Sequence, residues 1–176
     1  MIYENPEIQS SYHKNDLGRT LYDLVLELKP KKIVEFGVLN GYSTVCMAMA
    51  LDELGQGKIY AYDLWEKYRY RHGKLADCMW EVMSRGLGKY VEFRYGDFWG
   101  WEPEKFDLLH LDISNDGKTI KKAMRKLKGN GVLVFEGGSA ERDSVSWMKK
   151  YHHLSISECG VPYKIINPKF PSISIA

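Results

Sequence analysis

A chain of 176 residues suits one domain, since two would each be small. Hydrophobic residues make up 44% and charged residues 27%, an ordinary globular composition with enough apolar material for a core. Lys and Arg number 25 against 23 Asp and Glu, and a net charge of +2 is too balanced for a chain that lives on nucleic acid or an anionic membrane surface.

No apolar run approaches the ~20 residues of a membrane span, and the polar stretch Met1 to Asp16 does not read as a secretory signal. Cys46, Cys78 and Cys159 are odd in number and lack metal-like spacing, which suits reduced thiols in a cytoplasmic compartment.

In chain order, Leu17, Leu21, Leu24, Val25 and Leu28 recur at helical spacing, and Lys29-Pro30 closes that helix. Lys32 to Phe36 reads as a buried strand. Tyr42 to Leu54 reads as a helix ended by Gly55 and Gly57. A strand over Lys58 to Tyr62 follows, then a helix over His72 to Arg85 stopped by Gly86 and Gly88. Strands over Tyr90 to Tyr95 and Phe106 to Leu111 precede a basic helix over Thr119 to Lys128. A fifth strand, Gly131 to Phe135, leads into a helix over Ala140 to His152. Tyr163 to Ile166 and Ser172 to Ile175 are β-rich and separated only by Asn167 to Pro171, too short for a parallel crossover, so they form an antiparallel hairpin.

Alternating strands and helices predict an α/β fold with a seven-stranded, mostly parallel sheet and helices on both faces. The chain reads as one domain over 1–176, with an N-terminal helix region at 1–30 and the sheet core at 31–176. Ligands of such sheets sit outside the carboxyl ends of the strands, at the switch point of strand order. Acids and glycines collect there: Glu35, Gly37 and Gly41 after the first strand, Asp63 after the second, Gly96-Asp97 after the third, Asp112 after the fourth, and Glu136-Gly137-Gly138 after the fifth. Five acids on one sheet edge point to a ligand rich in amine and hydroxyl donors.

The stretch Glu-x-Gly-x-x-x-Gly-Tyr-Ser from Glu35 to Ser43 resembles the cofactor loop of class I S-adenosylmethionine (SAM)-dependent methyltransferases, nearest the catechol and caffeoyl-CoA O-methyltransferases. Phe106 to Asp112, followed by Leu127 to Phe135, resembles small-molecule methyltransferases of sugar and antibiotic pathways. The resemblance spans about Lys31 to Phe135 and implies a Rossmann-like fold closed by a C-terminal hairpin. It also implies SAM as methyl donor, S-adenosylhomocysteine (SAH) as product, and a small-molecule acceptor methylated at oxygen. By resemblance, Glu35 lies near the methionine part, Asp63 accepts from the ribose hydroxyls and Asp97 faces the adenine amine. Asp112 lies by the ammonium and the reacting centre.

The residues themselves support a backbone–ligand approach at Gly37 and Gly41 and a helix cap at Ser43, with Tyr42 beside it. Leu39 and Asn40 exclude the Gly-x-Gly-x-x-Gly pyrophosphate loop. Phe98 or Trp65 is placed to stack on adenine, although the same aromatics suit a dimer face. The basic helix reads as a solvated face or as an attractor for an anionic acceptor.

The catechol-type metal site is not reproduced: Gly137 stands where its Asn ligand belongs and Asn115 where its lysine belongs. No divalent metal is therefore expected. Candidate bases are Asp112 and Glu136, with Asp116 behind them. His110 reads as a core or interface histidine, and His152-His153 as surface. Two other classes stay open, a non-catalytic SAM- or nucleotide-binding module and an NAD-dependent oxidoreductase. A homodimer is compatible with a bare core that has no separate capping domain.

Overall fold

Short apolar runs alternate with amphipathic stretches and build the expected sheet and its flanking helices, in a computed structural model that describes residues 3–69, 73–102, 105–113, 116–127, 131–145 and 154–176. The helices are α1 (Leu17–Leu28), α2 (Tyr42–Leu54), α3 (Leu75–Ser84), α4 (Gly117–Lys126) and α5 (Ala140–Asp143). The strands are β1 (Lys32–Phe36), β2 (Lys58–Asp63), β3 (Val91–Tyr95), β4 (Leu108–Leu111), β5 (Val132–Glu136), β6 (Lys164–Asn167) and β7 (Ile173–Ile175).

The sheet order is β3-β2-β1-β4-β5-β7-β6. β1 to β5 pair in parallel, whereas β7 runs antiparallel to both β5 and β6. The closing hairpin thus places its second strand against the parallel sheet and its first at the edge. The order reverses between β1 and β4, and the crevice opens at their carboxyl ends.

Alternation along the strands sorts side chains onto two faces. Ile33 of β1 and Leu108 of β4 join the core under α1 and α2, while Val34, Phe36, Leu109 and Leu111 join a second core with Ile120 and Ala123 of α4. Every residue of β4 is buried, as are four of the five in β1. That is the pattern of a parallel strand covered on both sides.

Several boundaries differ from the sequence reading. α4 begins at Gly117 because Asp116 caps it, its Oδ1 accepting from the Lys118 amide at 3.0 Å. α3 begins at Leu75, and 70–72 lie outside the described residues. The predicted helix over Ala140 to His152 is a single turn ending at Asp143, with Ser144 and Val145 outside it, and 146–153 are not among the described residues. Short 3₁₀ turns at Ser11–Asn15, Trp65–Lys67 and Gly88–Tyr90 were not foreseen. Turns of three to five residues carry no hydrophobic period to detect.

One glycine fixes the crevice. Gly37 has φ +91°, and a Cβ placed on it would lie 2.1 Å from the Asp112 carbonyl oxygen. The ends of β1 and β4 touch backbone to backbone, with Asp112 N donating to Phe36 O at 2.9 Å, while Gly37 N donates to Tyr62 O of β2 at 3.1 Å. Gly37→Ala combines a left-handed strain with a clash against main chain, and should cost about 3 kcal/mol or more of stability. Urea unfolding checks this; a variant as stable as the parent would mean that the strand ends part at no cost.

Candidate active site

A cavity of about 320 Å³ opens at the switch point, walled by Gly37, Asp63, Asp97, Phe98 and Asp112 together with Tyr68, Trp99 and Ile113. Five of the residues singled out in the sequence meet there. Glu35, Gly41, Tyr42, Ser43 and Glu136 do not line it, and each has a specific place nearby.

Glu35 is the penultimate residue of β1, and the strand's period turns it onto the α2 face with Ile33. It is fully buried. Ser43 Oγ donates to its Oε1 at 2.5 Å, Thr44 Oγ1 donates to its Oε2, and His110 Nδ1 lies 3.0 Å from Oε1. Glu35 and His110 are direct register partners across β1 and β4. Both oxygens of Glu35 are therefore engaged by the scaffold. Ser43 serves that carboxylate and does not cap α2, whose N-cap is Gly41 at φ +87°. Tyr42 is buried and donates to Asn5 Oδ1 at 2.6 Å.

Asp63 lines the cavity, yet its carboxylate is spent on the main chain. Val38 N and Leu39 N donate to Oδ2 at 2.7 and 2.9 Å, and Leu64 N and Trp65 N donate to Oδ1 at 2.6 and 3.2 Å. A carboxylate offers about four lone-pair sites, and these amides take them all. Asp63 thereby clamps the loops after β1 and β2 to each other at the cavity wall. Asp97 is exposed, with Oδ1 accepting from Trp99 N at 3.1 Å, and it lies across the cavity from Asp112. Trp65 is fully buried in the core, edge-on to Phe93 and Tyr95, and does not reach the cavity as an adenine neighbour. Phe98 does reach it, while also packing edge-on to Phe36.

Beside the cavity runs a seam of polar groups on the α1–α2 face: Glu35, His110, Asp112 and Glu136, each on the parity of the strand that carries it. Tyr12 covers the seam from the N-terminal segment, which the sequence reading had not connected to the site. Its ring meets the His110 ring edge-on at 6.5 Å. Tyr12 is 3% exposed, and its hydroxyl makes no hydrogen bond of ordinary geometry. His110 Nε2 is likewise buried without a partner. Burial, with the charges of Asp112 and Glu136 adding, holds the Tyr12 phenol well above the usual tyrosine range.

The segment is anchored through Asn15. Its Nδ2 donates to Lys169 O at 2.9 Å and also to Pro171 O, while Asn167 Nδ2 donates to Asn15 O at 3.1 Å. The only sequence signal for Tyr12 was a tyrosine in an otherwise polar stretch ahead of α1.

Asp112 keeps part of its surface on the cavity while its carboxyl is crowded by Tyr12, Glu136 and His110. Burial and the Glu136 charge push it up to about 7, with His110 and the Tyr12 hydroxyl pulling the other way. Glu136 is itself neutralised by Arg142, Nη2 to Oε1 at 3.0 Å. Among the described residues no group of three or more His, Cys, Asp or Glu is placed to hold a metal ion. All three cysteines are free and buried, and burial pushes the Cys46 and Cys78 thiols up to about 12. Among the described residues no helix is long and apolar enough to cross a membrane.

Residues 34–136 match a family model described as a methyltransferase domain. Protein-L-isoaspartate O-methyltransferase of Shewanella woodyi is 28% identical over 123 residues, 68% of this chain and 52% of the relative. The Shewanella loihica protein of the same name is 28% identical over 120 residues, 66% of this chain and 50% of the relative. The chain spans about half the length of the curated relatives it matches. In fold it is similar to the SAH-bound methyltransferase of Podospora anserina, at TM-score 0.64 and 19% identity, covering 95% of this chain and 78% of that one. The O-methyltransferase of Bacillus cereus in complex with SAH gives TM-score 0.65 at 17% identity over 97% and 83% of the two chains.

The geometry yields two expectations. Asp63→Ala leaves four main-chain donors without their acceptor and should lose about 3 kcal/mol, lowering the thermal midpoint of the unliganded protein by roughly 6–12 °C. Calorimetry decides; an unchanged midpoint would return Asp63 to a purely ligand-facing role. For Asp112 the sign follows from a folded value raised above the ordinary 3.8. Between that value and about 7 the folded chain holds a proton that the unfolded chain has released, so stability falls as pH rises through this window. Asp112→Asn should flatten that slope and be the more stable protein at pH 8, as denaturant titrations at pH 4, 6 and 8 would record.

Proposed function

Because this chain belongs to the methyltransferase-domain family, we propose that it transfers a methyl group from SAM to a small-molecule acceptor, at oxygen. The observation that carries the reading is the acid-walled cavity at the switch point, where Gly37 brings main chain against Asp112 with no side chain between. A ligand bearing an ammonium and a sulfonium suits carboxylate walls, whereas the pyrophosphate of a dinucleotide would meet repulsion there.

The residues divide the work. Asp97, exposed and opposite Asp112, takes the donors of the adenosine end, with Phe98 and Trp99 flanking the ring. Gly37 and Asp112 receive the methionine end. Glu35, Gly41, Tyr42 and Ser43 act from behind, as the scaffold that fixes the loop. When bound, SAM supplies an electrophilic methyl group. The protein's own contribution is to hold an acceptor oxygen in line with it at about 3–3.5 Å and to remove its proton.

Asp112 is the base in this reading. A carboxyl raised to about 7 is ionised in part near neutral pH and still basic enough to take a hydroxyl proton. Glu136 supports it by raising that value, and Glu136 is itself paired with Arg142. Tyr12 closes the acceptor side and excludes water from the acids. A narrow, capped approach of this kind suits a small acceptor.

Calorimetric titration separates this reading from the alternatives. SAM and SAH should bind and NAD should not, with constants unchanged by EDTA. Binding of NAD without SAM would discard the proposal, and loss of SAM affinity on chelation would discard its metal-free chemistry.

A further inference from the structure

α4 carries Lys118, Lys121, Lys122, Arg125 and Lys126 and no acid in ten residues. The solvated-face reading of such a helix does not account for how these cations are arranged. Lys118, Lys122 and Lys126 follow one another at i, i+4 and i+8, with Arg125 beside them, so one face stacks four like charges that repel. The helix dipole favours Arg125 and Lys126 in the last turn but opposes Lys118 in the first.

That face is not simply open to solvent. It forms one wall of a groove of about 590 Å³ whose other wall is the β3–β4 connection, with Trp99 and Glu102. Lys122 Nζ donates to Trp99 O at 3.0 Å and lies 4.3 Å from the Trp99 ring centroid, and Lys126 Nζ donates to Trp101 O. Two of the cations are therefore folded into the groove and fixed there. Burial lowers the Lys126 ammonium below the usual lysine range, with Lys122 adding to the push and Glu102 opposing it. Among the described residues none of the five cations of α4 forms an ion pair, and Glu102 is the sole acid on the groove wall. Four cations crowd one acid, and an anion between them would relieve the repulsion.

We propose that this groove, formed by Lys118, Lys122, Arg125 and Lys126 against Trp99, binds the phosphate group of a small ligand at a site separate from the cofactor cavity. Trp99 is the common wall of the two. The proposal does not depend on methyl transfer. The shared chemistry is a phosphate group, whether free or on an organic ligand, and the charge number argues for more than one negative charge.

Inorganic pyrophosphate is the probe, titrated calorimetrically into the whole chain at constant ionic strength. Saturable binding is expected, weakened at least tenfold in the double variant Lys118→Ala/Arg125→Ala. Both residues are exposed, so their removal leaves the core intact. Lys121→Ala removes the same charge from the same helix but outside the groove, and should change the affinity less than twofold. The constants should also hold with SAH present, and a sugar phosphate binding as well as pyrophosphate would assign the site to an organic ligand. Pyrophosphate binding equal in all variants, an equal loss in Lys121→Ala, or competition by SAH would each overturn the proposal. So would binding of a single-stranded oligonucleotide with no response to pyrophosphate, which would mark a nucleic-acid face instead.

Discussion

Four main-chain amides end on one carboxylate, and the site is shaped around that junction. Asp63 holds Val38 and Leu39 from the loop after β1 and Leu64 and Trp65 from its own. The first pair keeps the loop turned so that Gly37 rests against the Asp112 carbonyl. Loosen the carboxylate and the loop is free to swing off β4, which removes one wall of the cavity. Backbone donors left without partners at a buried position cost far more than an average hydrogen bond contributes. The clamp is therefore a strong constraint for a single side chain.

Behind the cavity the same economy appears in the polar seam. Glu35 accepts from Ser43 and Thr44 of α2 and faces His110 of β4, so one buried acid joins the central strands to the helix that follows them. A buried carboxylate is tolerable only when its oxygens are satisfied, and here they are. Asp112 is not so well provided for. It faces another acid and a tyrosine whose hydroxyl finds no hydrogen bond of ordinary geometry. These two acids lie two residues apart in register across adjacent strands, one met by hydroxyl donors and the other raised by burial beside a second acid.

Much of this was legible in the sequence. The order of strands and helices, the antiparallel hairpin and the collection of acids at one sheet edge follow from apolar periods and turn residues. The roles of individual acids were not legible, for definite reasons. Glu35 sits one residue inside its strand, where it is fully buried and its oxygens meet Ser43, Thr44 and His110, none of which a local pattern announces. Asp63 could be placed at a strand end, but nothing local says that four amides would converge on it. Tyr12 lies about a hundred residues from Asp112 and reaches the site through its ring contacts with His110 and Tyr42, with Asn15 anchoring the segment to the C-terminal hairpin. Long-range contacts of that kind leave no periodic trace.

A net charge of +2 conceals a sharp division of sign. Carboxylates gather at the carboxyl ends of β2, β3 and β4, while the cations of α4 gather in the groove that shares Trp99 with that cavity. The two fields meet across a wall one aromatic side chain thick. If they were intermixed, each acid would be paired and none would remain basic near neutral pH. Separation keeps Asp112 away from the lysines of α4, so that burial and Glu136, rather than a neighbouring ammonium, set its protonation. Arg142 is the exception, and it pairs with Glu136 instead of Asp112. The arrangement leaves one carboxyl raised at the switch point, beside a glutamate that is paired with a guanidinium.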